Sequence, residues 1–327
     1  MQAIWLLRRL AGALFVLALV VVGAFFLLQA APGDALDAWL AGTGGADAVR
    51  IAELRAAWGL DQSAWHRLGA YVLALLHGDF GWSIAFERPV LGILLERLPT
   101  TLLLMGLAVG LSLALGLALG LIAGSRPGSL ADRVLSVGSL ALYAVPGFWL
   151  ALVLIAIFAV ALRWLPTGGF ETIASGKTGF ARLADIAWHL VLPVASLGLI
   201  YMALYLRLLR DGMADVWQQD FIRAARARGI AGRRLVLAHV ARNALLPVVT
   251  MLGLQSASLL GGSIVIESVF AIPGFGRLAF EAVTRRDMPL LLGVVLLSAI
   301  VVVLVNLAID VCYARLDPRV RLGRRPA

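Results

Sequence analysis

The sequence predicts an all-α, polytopic membrane protein with six transmembrane helices and both termini on the cytoplasmic side. Three observations carry that expectation. The 327 residues are 61% hydrophobic and 14% charged, with a mean hydropathy of +0.93, which leaves too little polar surface to coat a soluble globule. Apolar runs long enough to cross a hydrocarbon core of about 30 Å recur along the chain. The arginines between those runs alternate between dense and sparse segments, the asymmetry that sets membrane orientation.

Residues 1–31 hold the first span, Leu10–Ala30, preceded by Arg8 and Arg9. This apolar run exceeds that of a cleaved secretory signal, so it reads as a retained anchor. Residues 32–98 form an outer segment with mixed charge, in which Trp39, Trp58, Trp65 and Trp82 suit short helices lying against a membrane surface. Leu68–Leu76 is apolar but too short to span.

Residues 99–311 form the core. The second span, Leu102–Ala123, carries Gly106, Gly110, Gly116, Gly120 and, just beyond it, Gly124, spacings that let neighbouring helices approach closely. After the loop Ser125–Arg133 comes a third span, Val134–Leu162, which Pro146 and Gly147 should kink. An outer loop, Arg163–His189, leads to the fourth span, Leu190–Leu206, with Pro193 near its start. The fifth span is Ala244–Phe270 and the sixth Leu290–Val311, with an outer loop between them and a basic tail at 312–327.

With the amino terminus inside, the inner segments collect Arg8 and Arg9, Arg126 and Arg133, eight arginines between 207 and 242, and five between 315 and 325. Asp132, Asp211, Asp215, Asp220 and Asp317 are the acids on those segments, against twelve in the outer loops. This density satisfies the positive-inside rule. The net charge of +9 is therefore spread over separate loops, and no nucleic-acid-binding face is implied. The single cysteine, Cys312, excludes an internal disulfide and a cysteine metal cluster.

The inner loop 207–242 is the longest basic polar interval. Within it Phe221–Arg228 reads FIRAARAR, a good intrinsic helix former stopped by Gly229, where the chain can turn left-handed. Ala224, Ala225 and Ala227 offer a small-residue surface for another protein, and Arg223, Arg226 and Arg228 offer donors to acidic rims. A plainer reading is that these arginines only hold the loop inside.

Catalytic motifs are missing. Ser175-Gly176-Lys177-Thr178 looks like the end of a phosphate-binding loop, but Glu171 stands where that loop needs glycine. His66, His77, His189 and His239 lack metal-ligand spacing, and no Gly-x-Ser-x-Gly elbow occurs. The chain is expected to catalyse nothing alone. Gln255, Ser258 and Gly262 fall at i, i+3 and i+7 on the fifth span, a stripe that could line a path or bond a neighbouring helix. Glu267 and Asp310 lie near span ends, where interfacial hydration or pairing is expected.

DFIRAARARG at 220–229, His239 and RNALLPVVT at 242–250 together resemble the cytoplasmic signature of inner-membrane permease subunits of the dipeptide, oligopeptide and nickel class of ABC importers. ESVFAIPGFGRL at 267–278 and RDMP at 286–289 resemble an outer loop of the same family. The Arg8-Arg9-Leu10 anchor, APGD at 31–34, GDFGWS at 78–83 and RLPTT at 97–101 are similar to the first of its two permease types.

The resemblance covers nearly the whole chain and implies a type I importer permease in a bacterial inner membrane. It implies that Phe221, Arg223, Ala224, Ala225, Ala227 and Gly229 form a coupling helix docking on a separate ATPase. Arg223 stands where the wider family has glutamate. Implied partners are a second permease subunit, two ATPase subunits or domains that carry ATP and magnesium, and an external solute-binding protein. The cargo stays open among peptides, nickel, glutathione and sugars. An ion-driven secondary transporter is the main alternative, disfavoured because no acid lies mid-span; a membrane scaffold subunit is another.

Overall fold

The structure, a computed structural model, describes residues 2–30 and 61–316; side chains of 2–8, 10, 256–262 and 309–316 lie outside that description. Trp39, Trp58, most of the 32–98 segment's first half and the tail beyond 316 therefore fall outside it too. The described residues divide into two compact units, drawn from Met1–Pro99 with Gly274–Val305 and from Thr100–Pro273 with Asn306–Val320.

In the first unit, α1 (Gln2–Ala30) is an apolar rod whose described side chains are about half exposed and half partly covered, Phe25 alone among them being buried. Ser63 caps α2 (Ala64–Leu76), its hydroxyl accepting from the His66 amide. This short helix packs on the end of α1: Phe26 meets Trp65 edge-on at 4.9 Å, Phe25 stacks near Tyr71, and Arg67 Nη2 donates to Gln29 Oε1 at 2.8 Å. A two-residue ladder follows, β1 (Trp82–Ser83) against β2 (Arg88–Pro89).

Asp287 holds this ladder to the start of the last span. Its carboxylate accepts from Ser83 Oγ at 2.6 Å, the Ala85 amide at 3.0 Å and the Leu290 amide at 3.1 Å. It is buried, so these three donors replace the water that it has lost. The GDFGWS and RDMP motifs, about two hundred residues apart, thus meet in one cluster. Val90, Ile93 and Leu94 of α3 (Val90–Ser125) pack there with Phe275, Leu278 and Ala282 of α9 (Phe275–Thr284) and with Leu290 and Val294 of α10 (Met288–Leu316).

The second unit is built around α6 (Gly179–Trp217), the most deeply buried of the long apolar helices among the described residues. Helix α3 lies along it through its glycines. A Cβ on Gly116 would fall 2.8 Å from Tyr205 Cβ, on Gly120 2.8 Å from the Leu206 carbonyl oxygen, and on Gly124 2.8 Å from Met213 Sδ. The expected glycine stripe is therefore two features: Gly116, Gly120 and Gly124 are the contact, whereas Gly106 and Gly110 face open space.

Helix α4 (Leu130–Tyr143) and α5 (Gly147–Leu154), which runs on as a π-helical stretch Ile155–Ala161, replace the expected third span. They meet at 102°, a break rather than a kink, because Pro146 cannot donate into the preceding turn and starts a new helix. Among the described residues five helical stretches are long and apolar enough to span, and this bent pair makes the sixth if it counts as one.

The expected fourth span is only the middle of α6. The helix starts at Gly179 because Asp185, placed in an outer loop by its charge, is neutralised in situ: Lys177 Nζ, the Thr172 amide and Thr172 Oγ1 all donate to it. Pro193 sits inside α6 without ending it. Helix α3 likewise begins at Val90, inside the expected outer segment, and passes through Pro99.

Candidate functional site

Helix α6 ends at Trp217, and Gln219, in an extended conformation, turns the chain into α7 (Asp220–Ala227). Eight residues are too few for an isolated helix to be stable, so packing must hold it. Ile222 and Ala225, three apart and on one face, are buried with Met213 and Val216 of α6. Asp220 in the first turn and Arg226 in the last suit the helix dipole.

The helix stop is the expected one. Gly229 has φ +80°, its amide donates to the Arg226 carbonyl at 2.9 Å, and the Ile230 amide donates to the Ala225 carbonyl at 3.1 Å. This paired closure satisfies the last carbonyls and folds Ile230 back on the cluster that buries Ala225. Arg226 lies over the Trp217 ring at 4.9 Å, and Trp217 Nε1 donates to the Gly124 carbonyl at 2.8 Å. The chain α7–α6–α3 is thereby tied by one side-chain relay.

From Gly229 the chain passes through the turn Gly232–Arg234, a π-helical stretch Leu235–Ala241 and Arg242–Ala244 into α8 (Leu246–Val269). Leu235, Val240, Ala244 and Val248 join the cluster under α7. Ala244, from the RNALLP motif, presses on Gly212 of α6, where a Cβ would sit 3.2 Å from the Ala244 carbonyl oxygen. Pro247 falls in the first turn of α8, where its missing amide is harmless.

The candidate coupling residues divide by this geometry. Phe221, Arg223, Ala224, Ala227 and Gly229 are exposed, with Phe221 40% accessible. Ala225 is not part of the outward surface; its small side chain is what lets α7 sit close on α6. Arg223 pairs with Asp220, at 3.2 Å between two solvated side chains, a contact of little energetic weight. Sequence reasoning missed the anchors Ile222, Ile230 and Trp217, although the i, i+3 pair Ile222 and Ala225 signals the buried face.

It also missed a clamp nearby. Asp132, buried on α4, receives both Arg210 Nε at 2.7 Å and Nη2 at 2.9 Å, with the Gly128 amide and Ser136 Oγ completing its shell. The bidentate pair fixes α4 to α6 about two turns before α6 ends and α7 begins.

On α8, Gln255 is half-buried, while the side chains of Ser258 and Gly262 lie outside the described residues. The helix is unbroken there, so the three share a face. Glu267, near its end, is fully buried and receives Thr101 Oγ1 at 2.6 Å: pairing, not interfacial hydration, accommodates it. Among the described residues no group of three acidic, histidine or cysteine side chains could hold a metal. The arrangement can transmit displacement from α7 into α6 and α3.

Comparison with known proteins agrees with these elements. The oligopeptide transport system permease protein AppB of Bacillus subtilis is 36% identical over 321 residues, covering 98% of this chain and 99% of the relative. The dipeptide transport system permease protein DppB of Escherichia coli is 34% identical over 314 residues, covering 91% and 92%. In solved structures, a chain of the MetNI methionine ABC transporter in an inward-facing conformation shares the fold with a TM-score of 0.54, at 18% identity over 69% of this chain and 96% of that one.

Residues 116–322 match the family described as binding-protein-dependent transport system inner membrane component, and residues 2–105 match its N-terminal companion. The chain belongs to this family, and it is a permease component of an ABC importer rather than an enzyme.

Proposed function

We propose that the chain forms half of the path by which a bacterial inner-membrane importer takes up peptides or similar small solutes, and that α7 is its coupling helix. The observation that carries the reading is the two-sided character of α7: Ile222 and Ala225 lock it into the chain's own core, while Phe221, Arg223, Ala224, Ala227 and Gly229 face outward. A helix so anchored moves with α6 as one body.

On this reading the termini and α7 are cytoplasmic, ATP and magnesium reside on two ATPase subunits or domains, and a second permease subunit completes the path. A solute-binding protein delivers cargo from outside. The peptide relatives support the cargo class. Gln255, Ser258 and Gly262 are the residues of α8 offered to the path. ATP binding shifts the permease pair between inward and outward states only through its preference for one ATPase arrangement, and α7 carries that preference inward.

A cysteine at Ala224, cross-linked in membranes, should capture an ATP-hydrolysing subunit. Ala227→Arg should abolish uptake and the stimulation of ATPase activity by the loaded binding protein while leaving membrane insertion intact. Wild-type uptake by Ala227→Arg refutes the assignment of α7.

A further inference from the structure

A cavity of about 690 Å³ opens where α7 ends, in the same compact unit. Its walls come from the end of α3, from Trp217 and from the stretch 229–237 that leads away from α7. Arg126, Arg226 and Arg233 stand around it, and no carboxylate is among the described residues that line it. Ile122 and Leu237, also in the lining, are 51% and 46% exposed, so apolar surface and guanidinium groups share one open concavity.

Continuity, size and charge select the occupant. Arg226 belongs to the last turn of α7, and Gly229 and Ile230 make its closure, so the cavity and the outward face of α7 share a border. The helix is only about 12 Å long, and its outward side chains fall well short of the roughly 20–30 residues that each partner of a stable complex contributes. A subunit seated on α7 must therefore cover neighbouring surface as well. Three guanidinium groups without a lining carboxylate call for an acidic partner. That excludes the chain's own tail, whose residues 318–327 carry four arginines and no acid.

We propose that this cavity is a second seat for the ATPase subunit that docks on α7. It receives a projecting segment of that subunit, with an apolar side chain against Ile122, Val236 and Leu237 and with carboxylates meeting Arg126 and Arg233. Arg226 stays with the Trp217 ring. The inference rests on the reading of α7 as a coupling helix and adds a mechanical property to it. A partner held by one short helix can pivot about that helix, whereas two seats fix its orientation and bring α3 directly into the contact.

The test is photo-crosslinking in membranes that hold the complete importer. Cys312→Ser is the background, and a benzophenone is attached at Ala224→Cys or at Leu237→Cys. Both sites should capture the same ATPase subunit, and the peptide caught from Leu237→Cys should carry aspartate or glutamate beside an apolar residue. Arg126→Glu with Arg233→Glu should weaken binding of the purified ATPase subunit to the permease pair at least about tenfold, because like charges then face each other. Arg126→Lys with Arg233→Lys should keep most of the affinity, and reversing the acids of the captured peptide should restore binding to the glutamate variant. ATPase capture from Ala224→Cys alone overturns the second seat and leaves α7 assigned. So does capture of a lipid, the second permease subunit, the chain's own tail or a peptide without an acid from Leu237→Cys. ATPase capture from neither site overturns both readings. Unchanged affinity in the glutamate variant also overturns the proposal, and where that variant fails to assemble the crosslinks alone decide.

Discussion

Ile222→Ala separates anchoring from docking in α7. Ile222 is fully buried among Met213, Val216, Leu235 and Val240, and truncating a buried isoleucine costs about 2–5 kcal/mol. An eight-residue helix has no independent stability to offset that loss, so it falls on the local equilibrium between seated and unseated α7. The lower bound alone raises the unseated population about 30-fold. Hydrogen exchange over 221–230, with trypsin cleavage after Arg223, Arg226 and Arg228, reads that population directly. In Ile222→Ala these amides should lose protection by at least an order of magnitude, and coupling should fall because α7 no longer moves with α6. In Ala227→Arg protection should stay as in the wild type while coupling is lost. Unchanged exchange in Ile222→Ala, or equal loss of protection in both variants, refutes the division into a buried and an outward face.

Two further outcomes follow from packing. Gly120→Ala places a Cβ 2.8 Å from the Leu206 carbonyl oxygen and should lower the unfolding midpoint in detergent by roughly 2–12 °C, whereas Gly106→Ala, with open space around it, should leave the midpoint unchanged or raise it slightly; differential scanning fluorimetry compares them. Asp132→Ala should destabilise by about 2 kcal/mol, below the usual figure for a broken buried pair because Arg210 can turn toward water, and a double-mutant cycle with Arg210→Ala should show most of that loss as coupling between the two.

Much of the architecture is legible in the chain because lipid demands long apolar runs and internally satisfied backbone. The first apolar helix, the Gly229 stop and the short helix before it all follow from local chemistry. Helix ends were less legible. Asp185 looks like a loop residue until Lys177 and Thr172 are seen to donate to it, and Pro99 looks like a boundary although α3 runs through it. Pairings across long separations carry no local mark: Ser83 with Asp287, Thr101 with Glu267 and Asp132 with Arg210 become visible only when the elements are assembled. Burial of Ala225 belongs to the same class, since composition shows a small residue but not which side it faces.

The length of α6 has a mechanical consequence. Thirty-nine helical residues make a rod of about 58 Å, nearly twice the thickness of the hydrocarbon layer. Rocking it by roughly 5° about its midpoint would swing each tip by about 2.5 Å in opposite directions. The segment pinned at Asp185 and α7 beyond Trp217 sit at the two ends of this one rod, so a tilt that lifts one end lowers the other.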